Sequence, residues 1–264
     1  MKNSKKVTAI LIPGILALLL SGGAAADWSW SFTGSYTGNS SGMTFSGSGG
    51  APSVTATAWS NSISAANTSS NYGSGDLVKR SIYRYSGGLG VTSPDDVNQG
   101  SPEHATDNQY RIDSILLYFG GTAVTLDQVK FGWVSGDSDF SMSAYTGGGS
   151  SNLSAMGYGD LASNGWSTIG SYYNPGTATT AVNPAEVSSS YWLISALNPN
   201  LGGTSNTNYY GNDFFKLASV GGTGPSNEVP EPSTLLLLGG VLLITVMRGQ
   251  VVANRRESGH ALQA

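Results

Sequence analysis

The sequence of 264 residues predicts an all-β protein, an antiparallel β-sandwich of jelly-roll-like outline, set between an N-terminal signal helix and a C-terminal single transmembrane helix. Three observations predict the β class. Segments with an apolar residue at every second position recur over residues 27–220, stretches rich in Gly, Ser, Asn and Pro separate them, and almost no helical periodicity lies between. With 10% aromatic residues such a body can bury a core. It has to do so without disulfides, because Cys is absent.

The elements follow in chain order. Lys2, Lys5 and Lys6 precede an apolar stretch at 7–20, and Ala24, Ala25 and Ala26 supply the small residues signal peptidase needs, so residues 1–26 read as a signal peptide cut between Ala26 and Asp27. Trp28, Trp30 and Phe32 then alternate with Ser29, Ser31 and Thr33, the mark of a half-buried strand. Residues 54–59 set Val54, Ala56 and Ala58 on one face, and residues 79–85 set Ile82 and Arg84 opposite Ser81, Tyr83 and Tyr85. Residues 110–119 end in an apolar block, and Gly120-Gly121 predicts a turn into 123–134; this pair reads as a hairpin at the heart of the sheet. Phe140, Met142 and Ala144 alternate with serines, and further strands are expected at 187–197 and 213–220. Residues 34–51, 61–76, 86–109 and 146–165 read as loops, and 221–228 as a linker.

After the linker the pattern changes. Val229-Pro230-Glu231-Pro232-Ser233 fixes two φ angles and favours a stiff extended peptide, the form proteases bind. An apolar run at 234–247 follows, then Arg248, Arg255 and Arg256 as a basic membrane stop, with 257–264 left as a cytoplasmic tail. The run's helical length of roughly 21 Å falls short of a hydrocarbon core of about 30 Å, so it suits a transient hold better than a lasting anchor.

This tripartite tail, residues 229–256, resembles the PEP-CTERM sorting signal of exosortase substrates in Gram-negative bacteria. The resemblance implies recognition of the Pro-Glu-Pro box by a membrane-embedded exosortase, removal of the tail, and delivery of the body to the cell surface or extracellular matrix. Here Gly249 to Asn254 separate Arg248 from Arg255-Arg256, where the family usually clusters its arginines directly behind the apolar run. The body is similar to a family of exosortase-dependent surface proteins through Val129-Lys130-Phe131-Gly132-Trp133, Asp137-Ser138-Asp139-Phe140, Tyr191-Trp192-Leu193-Ile194 and Asn212-Asp213-Phe214-Phe215. That likeness implies a class of surface protein and no reaction.

Charge narrows the partners. Residues 27–228 hold fourteen Asp and Glu against six Lys and Arg, a net charge of −8, which disfavours nucleic acid and anionic lipid. Signal peptidase, exosortase and, transiently, the inner membrane are the partners the ends imply; extracellular polysaccharide is the one the body suggests. Adjacent aromatic pairs (Tyr172-Tyr173, Tyr191-Trp192, Tyr209-Tyr210) put one ring of each outward if they lie in strands, and outward rings stack on sugars or merely cover a second layer.

Catalytic candidates are few. His104 is the one histidine outside the tail, isolated in an acidic loop, and reads as a surface residue. Asp137 and Asp139, two residues apart, are the candidate carboxylate pair, about 7 Å apart if on a strand, and three chemistries fit them: a turn cap after Gly136, a calcium contact, or a glycosidase pair. No cofactor other than calcium is expected, and the body reads as a non-enzymatic structural or adhesive protein, with a secreted carbohydrate-binding module or carbohydrate-active enzyme as the alternative.

Overall fold

A computed structural model describes residues 27–64, 73–96, 104–147, 151–202 and 211–225. The leader, with Ala24 and Ala26, and the tail, with Val229 to Ser233, Arg248, Arg255 and Arg256, lie outside the described residues, as do the helices expected there. Among the described residues no helix is long and apolar enough to cross a membrane; the helical pieces are 3-10 turns of three residues.

The fold is all-β. Its strands are β1 (Asp27–Ser31), β2 (Thr37–Asn39), β3 (Met43–Phe45), β4 (Val54–Asn61), β5 (Leu77–Tyr85), β6 (Gly88–Thr92), β7 (Thr106–Asp107), β8 (Asp113–Tyr118), β9 (Thr125–Gly136), β10 (Phe140–Tyr145), β11 (Trp166–Tyr172), β12 (Thr179–Ala181), β13 (Tyr191–Ala196) and β14 (Asp213–Thr223). They form one antiparallel sheet in the order β11-β10-β13-β8-β4-β5-β6-β14-β9-β12, with β1 and β7 also on β14, β2 on β5 and β3 on β4. The sheet curls at β5, whose first half pairs with β4 (Ala58 opposite Arg80) and whose second half pairs with β6 (Ile82 opposite Val91). The curl brings both arms against one core: Phe140 from β10 meets Phe131 of β9 at 5.2 Å, edge to face, and Phe131 stacks on Phe215 of β14. Asp27 pairs with Thr223, so the two ends of the body lie side by side.

The alternations expected in β1, β4 and β10 supply this core: Trp30, Phe32, Val54, Ala56, Ala58, Phe140, Met142 and Ala144 are all buried in it. The hairpin expected across Gly120-Gly121 is not formed. Those glycines do turn the chain, at φ +64° and +86°, but β8 pairs with β4 and β13 while β9 pairs with β14 and β12. The connection therefore passes from one arm to the other, because Ile115, Leu117 and Phe119 before it and Val124, Leu126 and Val129 after it face the same core from opposite sides.

The expected loops also carry structure. Residues 34–51 hold β2 and β3, 86–109 hold β6 and β7, and 146–165 lays Leu153, Tyr158 and Leu161 over the outer face of β4, β8 and β13. These three form a second core with Trp59, Ile112, Leu116 and Leu193, and the Tyr158 hydroxyl donates to the Ile112 carbonyl at 2.8 Å. Ser141, Ser143 and Ser195, which alternation would place in water, are consequently buried.

Candidate functional site

An aromatic groove crosses the arm built on β5, β14 and β9. Tyr83 and Tyr85 share the face of β5 opposite the buried Ile82, as the period-two reading expects. β2 pairs with β5, bringing Tyr36, the residue before it, within 5.6 Å of Tyr83 and 5.3 Å of Tyr85. Tyr36 is 65% exposed, a large ring that the core does not claim. His104, at φ +56°, stacks on Tyr83 at 5.2 Å while its Nδ1 bonds the Thr92 hydroxyl at 2.8 Å, so this histidine extends the aromatic layer.

Trp133 of β9 and Lys216 of β14 are opposite each other in the ladder. The Lys216 Nζ lies 4.0 Å from the Trp133 ring centre and 4.7 Å from that of Tyr85, a cation held between two π faces; burial lowers its pKa. The floor is glycine: a Cβ on Gly132 would stand 2.4 Å from the Gly87 carbonyl oxygen, so only bare backbone lets the β5–β6 turn approach β9 this closely. Two hollows result, one of about 670 Å³ lined by Thr33, Gly34, Ser35, Tyr36, Tyr85 and Ser86, the other of about 310 Å³ lined by Tyr85, Ser86, Gly87, Gly132, Trp133 and Lys216. They share Tyr85 and Ser86. The Tyr85 hydroxyl has no hydrogen-bond partner among the described residues. Ring faces flanked by hydroxyls suit a polyol, whose C–H faces stack and whose hydroxyls hydrogen-bond.

The structure brings Asp137 and Asp139 together and adds Asp213, one carboxylate oxygen of each lying within 4.8 Å of the others. Gly136 at φ +69° ends β9 and lets Asp137 bridge to Asp213. Asp137 Oδ1 accepts from the amide of the next residue, Ser138, at 2.7 Å. Asp139 Oδ1 accepts from the Asn174 amide at 2.6 Å, and Asp213 Oδ1 from the Asp139 amide at 3.0 Å. The fully buried Asn108 donates its Nδ2 to Asp213 Oδ2 and accepts from the Asp213 amide. Burial above all, with the charges of Asp139 and Asp137 adding, pushes Asp213 up to about 8. Burial pushes Asp139 up to about 6 against the opposing pull of the Asn174 amide, and Asp137 adds a smaller rise.

Of the adjacent aromatic pairs, Trp192 is wholly buried, Tyr191 stacks on Tyr118 at 4.5 Å, and Tyr172 stacks on Phe140 at 4.8 Å while its hydroxyl accepts from the Asn183 amide. Tyr173 is 45% exposed, and Tyr209-Tyr210 lie outside the described residues. Among the described residues the aromatic rings that stand well exposed are Tyr173 and, in the groove, Tyr36. The Tyr83-x-Tyr85 alternation on the polar face of β5 is the sequence signal that could have located the groove.

Comparison with models of known protein families, with curated proteins and with solved structures finds no match.

Proposed function

We propose that this chain is an exported cell-surface or extracellular-matrix protein of a Gram-negative bacterium, sorted and cleaved by an exosortase after a transient stay in the inner membrane. Its body, a jelly-roll-like β-sandwich, serves a structural or adhesive role in a polysaccharide-rich layer and is not an enzyme. The leader and the Pro230-Glu231-Pro232 tail support the route. The observation that carries the task is the groove, in which the 65% exposed Tyr36 ring and the Trp133 ring, one face of which carries Lys216, stand beside Thr33, Ser35 and Ser86 hydroxyls. A carbohydrate-active enzyme would need two carboxylates facing a sugar. Among the described residues the carboxylates of Asp137, Asp139 and Asp213 lie within 4.8 Å of one another, and two of the three, Asp139 and Asp213, are 0% exposed, which favours binding over hydrolysis.

The test uses the full chain. Purified in detergent, it is expected to bind one or more matrix polysaccharides on a glycan array, and the double variant Tyr36→Ala, Trp133→Ala to bind roughly tenfold more weakly, two ring contacts at about 0.5–1.5 kcal/mol each. Silence across the array, or unchanged binding by the variant, would remove the groove from the proposal. Glu231→Ala with Pro232→Ala is expected to leave unprocessed chain in the inner membrane fraction; normal release would overturn the sorting assignment.

A further inference from the structure

The carboxylates of Asp137, Asp139 and Asp213 converge without a positive charge to hold them. Asp139 and Asp213 are 0% exposed, and the ion pair found among the described residues, Arg111 with Asp95, involves none of the three. Most of their oxygens are accounted for by backbone amides and the Asn108 and Asn212 side chains. One is not. Asp139 Oδ2, on a residue with no exposed surface, has no amide, hydroxyl or cationic donor among the described residues; what faces it is the carboxylate of Asp137. Buried acceptors are ordinarily paired, and an unpartnered carboxylate oxygen beside two further carboxylates is the oxygen-rich setting a hard cation takes.

We infer that Asp137, Asp139 and Asp213 bind one hard divalent cation of the calcium class, water completing its shell on the half-exposed Asp137 side. The donors are all oxygen, which excludes the soft-ligand set of zinc or copper sites. Three carboxylates, fixed by backbone geometry and irregular in arrangement, suit calcium's flexible shell of six to eight oxygens better than magnesium's strict octahedron. The ion would tie the turn after β9 to the first residue of β14 and, through the Asn174 amide on Asp139 and Asn108 on Asp213, hold two further segments. In a chain without cysteine it takes the part of a cross-link.

The test is calcium binding to the full chain stripped with a chelator. Equilibrium dialysis is expected to find one calcium per chain, and the thermal midpoint to rise by roughly 5–10 °C at about 100-fold excess over Kd. Asp139→Asn and Asp213→Asn should lose both effects, while Asp160→Asn, on an exposed turn, keeps them. Should either variant fail to fold, terbium luminescence of the unaltered chain still decides: emission sensitised through the Phe140–Tyr172 stack and displaced by calcium supports the site. No calcium uptake by the unaltered chain, uptake unchanged in a folded Asp139→Asn, or no terbium signal overturns it.

Discussion

Replacing Trp192 by alanine tests whether the core lies where both arms of the curled sheet meet. The indole is 0% exposed, and its Nε1 donates to the Val124 and Ser189 carbonyls at 3.2 and 3.0 Å. Those carbonyls also pair with the Ser189 and Val124 amides, each at 3.0 Å, so losing the indole donor strands neither. The cavity term therefore dominates: Trp192→Ala is expected to cost about 3–5 kcal/mol, against a total of about 5–15 kcal/mol for a domain. Trp192→Phe, which keeps most of the volume, should cost about 1–2 kcal/mol. The neighbouring Tyr191 stacks on Tyr118 near the surface, and Tyr191→Ala should cost about 0.5–1.5 kcal/mol. Urea unfolding followed by circular dichroism measures all three, with Trp192→Ala lowering the thermal midpoint by roughly 6–20 °C. A cost below about 1 kcal/mol for Trp192→Ala, or a larger one for Tyr191→Ala, would refute the placement of the core.

Two further perturbations probe the arm around β6. Asp113 is wholly buried with no ion-pair partner among the described residues, and burial, with Asp107 and Asp96 adding, raises its pKa well above the usual range against smaller opposing pulls from Arg80 and the Asp107 backbone. A raised folded pKa means that the stability contribution is full below the ordinary carboxylate value near 4 and is lost as pH rises through the folded value, by up to about 1.4 kcal/mol per pH unit. Asp113→Asn should thus flatten the fall in thermal midpoint from pH 4 to 9 and raise it at the alkaline end; superimposable profiles would sink this assignment. Gly90→Ala would set a Cβ 1.7 Å from the His104 carbonyl oxygen, forcing the backbone of residues 104–105 away and breaking the bond from the Val91 amide to the Ala105 carbonyl. It should cost about 1–3 kcal/mol or more and loosen the His104 stack on Tyr83, whereas Gly120→Ala, with open space around its Cβ, should cost only about 1–2 kcal/mol for its left-handed φ. Equal costs in denaturant titrations would show that the two contacts are not as described.

Alternation was legible wherever one face of a strand meets the core and the other meets water, as in β1 and β5. It misled where both faces are buried, because Leu153, Tyr158 and Leu161 cover the outside of β8 and β13 and leave Ser114, Ser143 and Ser195 in the interior. β6 was hidden differently. Gly88 and Gly90 suggest a loop, yet they are glycine because the Leu217 carbonyl and the His104 carbonyl press on the positions a Cβ would take. The false hairpin at Gly120-Gly121 has the same origin in partner choice: a turn signal reports that the chain reverses, and only the burial of Phe119 and Val124 in a core shared by both arms decides that it crosses from one arm to the other.

The two candidate sites were half legible for one reason, which is that both depend on β14. Asp137 and Asp139 announce themselves by spacing, but Asp213, which makes them a three-carboxylate node, comes from a strand whose sequence reads as ordinary alternation. Three residues further along, roughly 10 Å at strand rise, Lys216 faces the groove between Trp133 and Tyr85. An odd offset puts the two side chains on opposite faces, so Asp213 points into the arm and Lys216 out of it. A cation that fixes Asp213 against the turn at Gly136 also fixes the ladder of β14 on β9 at its first pair, Asp213 opposite Gly136, and hence the pairing of Lys216 with Trp133 three rungs on. The node and the groove are thus two faces of one strand register, and a change that frees the first residue of β14 reaches the groove through the backbone without touching a groove side chain.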